Sequence, residues 1–115
     1  MSTVEVHEDD LRVRLTRFER LLALHGDVTV PWPAVTGVEV VPDAYTAVVG
    51  LRAPGLALPG RRLLGTWRTS LGPEFVDVTG HVPGVRIALR DRPFVSLLVG
   101  SADADALAAL VRRHL

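Results

Sequence analysis

Three arginines, Arg52, Arg61 and Arg62, flank the stretch Gly50 to Gly60, in which Pro54-Gly55 and Pro59-Gly60 read as turn dipeptides. Guanidinium forks beside exposed backbone N–H groups suit phosphate or carboxylate, so the first chemistry on offer is anion capture by a shaped loop. A plainer reading stands beside it. Arg is usually exposed and surface ion pairs are common, which makes the same residues a solvated rim with one Arg paired to Glu or Asp, and that is the preferred reading. The four histidines, His7, His25, His81 and His114, have no spacing that suggests a metal site; His25 and His114 fall near the ends of expected helices, where the helix dipole accounts for them. Asp77, inside FVDVTG, either shares the inward side of Phe75 or, preferably, faces a solvated edge or pairs with Arg68 or Arg86 on a neighbour. Trp32, between Pro31 and Pro33, is a candidate contact anchor for a partner if exposed, and a packing residue otherwise; Trp67 is expected inside.

The rest of the composition narrows the chemistry. There is no Cys, which removes disulfides, thiolate zinc sites and cysteine nucleophiles together. No GxSxG, Walker loop or GxGxxG is present, so neither catalysis nor a cofactor is expected. Basic and acidic residues number 13 each, and the formal charge of zero argues against a nucleic-acid binder. Every basic residue is Arg, which reflects codon usage in a GC-rich genome rather than a site. At 115 residues, 48% of them apolar, the chain is expected to form a single domain with one core. The start MSTVEVHEDD has no secretory pattern, and no apolar run reaches the ~20 residues of a bilayer span, so a cytoplasmic protein is expected.

The elements that position these residues follow from periodicity. Val4 and Val6, then Leu11, Val13 and Leu15, alternate with polar neighbours and predict a hairpin about the acidic turn Glu8-Asp9-Asp10. The period then changes to 3.6. Thr16 and Glu19 form a capping box, Phe18, Leu21, Leu22 and His25 form an apolar face, and Gly26 stands at the stop of a helix over 16–25. Short strands are predicted at 27–30 and 36–41, either side of Pro31-Trp32-Pro33, and residues 44–49 are open between a helical turn and an extended piece. Beyond the Gly50–Gly60 loop come strands at 61–69, 74–79, 85–89 and 94–99, all expected antiparallel. A last helix over 102–114 is capped by Ser101 or Asp103, with Leu107, Leu110 and Val111 turned inward and small alanines allowing close approach.

This order resembles the bacterial relatives of the pleckstrin-homology fold. The resemblance is carried by LTRFERLLALHGD, VTVPWPAVTGVEVV, GLRAPGLALPG leading into LLGTW, FVDVTG, and VRIALRDRPFVSLLVGSADADALAAL. It implies a mainly β domain: a PH-like, partly open antiparallel barrel with its C-terminal helix across one end, and a short helix after the first hairpin. Such domains bind phosphoinositides in some cases and proteins or peptides in many. The lipid-binding pattern places basic residues in the first hairpin loop, where this chain has Glu8-Asp9-Asp10, and an acidic loop is repelled by anionic headgroups. The expectation is a non-catalytic PH-like binding or scaffold module with an unidentified protein partner. The alternative is a small anion, ligand or headgroup domain that uses Arg52, Arg61 and Arg62.

Overall fold

The computed structural model describes residues 3–23 and 26–115. Strands β1 (Thr3–Val6), β2 (Asp10–Arg14) and β3 (Val28–Pro31) form a small antiparallel sheet, with helix α1 (Arg17–Ala23) between the second and third. A 3-10 turn over Trp32–Ala34 leads into β4 (Val35–Val41), and a four-residue helix, α2 (Ala44–Ala47), follows. Then come β5 (Leu51–Leu58), β6 (Arg62–Thr69), β7 (Gly72–Thr79), β8 (Gly84–Leu89), β9 (Ser96–Gly100) and α3 (Ala104–Arg112). These later strands make one six-stranded sheet in the order β4-β8-β9-β7-β6-β5. The fold is mainly β with a C-terminal helix, as the periodicity predicts. Among the described residues no helix is long and apolar enough to cross a membrane.

The sheet stays open, with β4 and β5 as its two edges, which is compatible with the partly open barrel expected. It departs from the expected antiparallel order in being mixed: β9 returns from β8 and inserts beside β7, with which it runs parallel. A strand in that central position is covered on both faces, so it reads as a continuous apolar run, Leu97-Leu98-Val99, all buried. One face of the large sheet presents Leu64, Phe75, Val85, Ile87, Leu97 and Val99 to the small sheet and to α3. The other presents Leu63, Trp67, Val76, Val78 and Leu98 to α2 and its flanks. Gly84 permits the close seat of α2, since a Cβ there would lie 2.7 Å from that of Ala44 and 2.6 Å from the Val99 carbonyl oxygen. Asp43 starts α2 by accepting the N–H groups of Tyr45 and Thr46 at 3.0 and 3.4 Å, which resolves the ambiguous 44–49 segment.

Several expectations need correction. Residues 51–58 are an eight-residue edge strand, not a loop. Pro54, which has no N–H, falls in a register shift between Arg52 and Gly55 on the outermost strand, where a proline is tolerated. Gly55 sits at φ +155°, and a Cβ there would approach the Leu64 carbonyl oxygen to 2.5 Å. Trp32 is only 7% exposed. Its Nε1–H donates to the His7 carbonyl at 2.9 Å, and its ring stacks on His114 at 4.1 Å, so it ties the 3-10 turn to the end of α3 and is no surface anchor. Helix α3 buries Ala104, Ala108 and Val111, while Leu107 is half-buried and Leu110 is 41% exposed. Its small side chains meet the sheet, and the stripe is rotated from the leucine-centred one expected.

The first helix departs further. Its capping box forms as predicted: the Thr16 N–H donates to Glu19 Oε1 at 2.9 Å, and the Glu19 N–H donates to Thr16 Oγ1 at 3.2 Å. Of its apolar face, however, two members do not point inward, and the side chain of Leu22 lies outside the described ones. Phe18 and Leu21 are each 68% exposed, and Glu19 is buried. The expected helix end at His25 lies outside the described residues.

Thr16→Ala is expected to lower stability by about 1 kcal/mol through loss of the cap. Within α3, Val111→Ala is expected to cost roughly 1.5–3 kcal/mol and Leu110→Ala clearly less, because only the first side chain is fully buried. Denaturant midpoints of the three variants check both statements.

Candidate functional site

The three arginines of the Gly/Pro stretch do not converge. Arg52 pairs in register with Trp67, and Arg62 with Leu58, so β5 separates them by roughly 15–20 Å. Arg52 and Arg61 are exposed, whereas Arg62 points into the protein. There it is the centre of a buried polar cluster. Its Nη2 donates to Glu19 Oε2 at 2.7 Å, and its Nη1 lies 2.9 Å from Asp77 Oδ1 and also donates to Thr79 Oγ1. Asp77 shares the inward side of Phe75, and its partner is Arg62 rather than Arg68 or Arg86. The local sequence explains the geometry. Arg62 is opposite Thr79 and Leu64 opposite Asp77, so Arg62 and Asp77 are diagonal neighbours on one face of the β6–β7 ladder.

Glu19 has a double role. One carboxylate oxygen caps the helix and the other takes Arg62, so this single side chain fixes how α1 is rotated on β5 and β6. Burial alone would raise its pKa. The two hydrogen bonds with Thr16 and the charge of Arg62 outweigh burial and hold the carboxyl below its ordinary value.

With Glu19 turned in, Phe18 is turned out. It borders a concave cleft of about 410 Å³ whose apolar walls are Phe18, Leu56, Leu58 and Leu64 and whose polar floor is Thr16, Glu19, Arg62 and Thr79. Leu58 is 47% exposed, and Leu21 lies one helical turn beyond Phe18. The turn that follows Leu58 is pinned: the Arg61 N–H donates to the Leu58 carbonyl at 2.9 Å, and the Gly60 N–H to the Tyr45 hydroxyl at 2.8 Å. The face is therefore a shaped apolar surface on held elements, with a charged pair beneath it.

A second buried pair lies on the opposite face of β7. Glu74 is 2% exposed and accepts Arg86 Nε at 2.9 Å and Ser96 Oγ at 2.6 Å. A second nitrogen of Arg86 donates to the Ala47 carbonyl at 2.7 Å. This pair locks α2 and β9 to the sheet. Among the described residues no three His, Asp or Glu side chains gather as a metal site. The outward face of α1 was the feature sequence reading missed. Its one legible signal is that the capping glutamate and the apolar stripe lie on adjoining positions and compete for the inward side.

No protein-family model, no curated protein and no solved structure matches this chain.

Arg62→Ala is expected to cost roughly 3–5 kcal/mol, because it takes the Arg62 charge away from two buried carboxylates. Arg61→Ala, at an exposed position, is expected to stay within about 0.5 kcal/mol. The pH dependence has a definite sign. A carboxyl whose native pKa is lowered is stabilising above its ordinary value of 4.5, and that contribution is lost as pH falls through the lower native value. Glu19→Gln is thus expected to be less stable than the wild type at neutral pH and to lose less stability on acidification. Thermal unfolding at a series of pH values reads both.

Proposed function

We propose that this chain is a non-catalytic PH-like binding module and that its partner is a protein, seated on the face formed by α1 and the turn end of β5. The observation that carries this reading is the exposure of Phe18 and Leu21 on α1. An amphipathic helix ordinarily buries its apolar stripe, yet here Phe18 and Leu21 face solvent while Glu19 is held inside. Phe18 and Leu58 border an apolar cleft, with Leu21 exposed one helical turn beyond Phe18, and exposed apolar surface of this kind marks interaction sites on a monomer. An aromatic side chain at the centre of such a patch is the usual anchor of a protein interface. The open two-sheet architecture with its C-terminal helix is compatible with the PH-like resemblance. The anion-binding alternative finds no support in the geometry, because Arg62 is consumed by Glu19 and Asp77 and Arg52 lies at the far end of the hairpin.

The test is differential capture. Immobilised wild type and a Phe18→Ala/Leu58→Ala variant are compared for proteins retained from native extract. Both positions are exposed, so each substitution is expected to change stability by no more than about 0.5 kcal/mol. Loss of an interface anchor is expected to weaken binding by about 2 kcal/mol or more, roughly thirtyfold. A retained protein that binds both forms equally would count against this face.

A further inference from the structure

We infer, resting on that reading, that the segment seated on the α1–β5 face is acidic as well as apolar. The charges around the cleft carry the inference. The carboxylates that meet α1 or lie beneath the cleft are Glu19, Asp27 and Asp77, and each is already engaged. Glu19 serves the helix cap and Arg62, and Asp77 serves Arg62. Asp27 accepts the Leu15 N–H at 2.7 Å and pairs with Arg20 at 3.0 Å. Arg17 and Arg61 remain. Arg17 precedes Phe18 on α1, and Arg61 follows Leu58 in the pinned turn. Both are exposed, and among the described residues neither side chain makes a hydrogen bond or an ion pair.

The face therefore presents apolar walls at Phe18, Leu56 and Leu58, and Arg17 beside Phe18 in the chain and Arg61 in the turn after Leu58 add two exposed, uncompensated guanidiniums, in a chain whose overall charge is zero. Electrostatic complementarity selects a partner with the opposite sign, and guanidinium forks select carboxylates. A segment that places leucine or phenylalanine in the cleft and Asp or Glu at either side satisfies both requirements. A bilayer fits less well. The site is concave with a polar floor that includes the Glu19 carboxylate, so it receives side chains and does not insert into a membrane interface.

Selection of a random 12-residue displayed peptide library against the full chain tests the inference. Enriched peptides are expected to combine aliphatic or aromatic residues with Asp or Glu. Measured as synthetic peptides, they are expected to lose binding to Phe18→Ala. They should bind an Arg17→Glu/Arg61→Glu variant at least about tenfold more weakly and weaken as salt is raised. An Arg17→Gln/Arg61→Gln variant, expected to be intermediate, controls for any folding defect from charge reversal. Apolar peptides without acidic enrichment, sensitive to Phe18→Ala but not to either arginine variant, would overturn the acidic partner while leaving the face intact. Peptides insensitive to Phe18→Ala, or no enrichment, would overturn both. Arginine-dependent sedimentation with phosphatidylserine vesicles, in place of peptide binding, would replace the protein segment by a membrane.

Discussion

The grip of Arg62 on Glu19 and Asp77 is the constraint on which the candidate face depends. One guanidinium joins three elements that are distant in sequence, α1, β6 and β7, in a place largely closed to water. A buried ion pair of this kind is weak evidence for stability, since well-packed apolar side chains of equal volume often do as well. What it adds is orientation. Packing alone would turn Phe18 and Leu21 toward the sheet, because that buries more apolar area. The glutamate cannot leave the interior without giving up Arg62 and opening the helix cap, so Phe18 and Leu21 stay outside.

The opposite side of β7 repeats the device. Asp77 and Glu74 are an odd number of residues apart on one strand, so they lie on opposite faces, and each has its own arginine, Arg62 from β6 and Arg86 from β8. Both faces of the central strand are therefore polar at one point and apolar elsewhere. Such points disfavour register slips, since a shift of one residue would place each charge against Val76 or Phe75 instead of its partner. The insertion of β9 beside β7 is tied in the same way, through the Ser96 hydroxyl on Glu74.

What was legible in the sequence follows from the range of the interactions. The capping box is contained in four residues, and both of its hydrogen bonds form. The alternation of Val85, Ile87 and Leu89 needs only a strand with one apolar face. Mixed topology was not legible, because Leu97-Leu98-Val99 fits any strand covered on both sides. Pro54-Gly55 and Pro59-Gly60 were read alike as turns, but only the second is one; the first sits in a bulge of an edge strand, where the same residue types serve a different purpose. The inward face of α3 was misjudged because leucine outweighs alanine in any periodicity count, while close approach to β4 and β8 favours the smaller side chain. Of the site, Arg62 was singled out with Arg52 and Arg61, and one arginine paired to Glu or Asp was expected, but not which one or with which carboxylates. Its true partners lie 43 and 15 residues away, and no local pattern announces pairings of that range.

The bulge on β5 has a consequence for the molecule among its own copies. An open sheet edge beside a greasy helix face is an arrangement that invites strands of neighbouring chains to add one after another. Pro54 contributes no donor to such a ladder, and the register shift around it breaks the straight run of backbone groups that a newcomer would need. Replacing Gly55 by a residue with a side chain would press on Leu64 and disturb that kink. The proline and glycine that first looked like punctuation thus let the chain keep an exposed apolar surface beside an open edge without becoming the seed of a fibre.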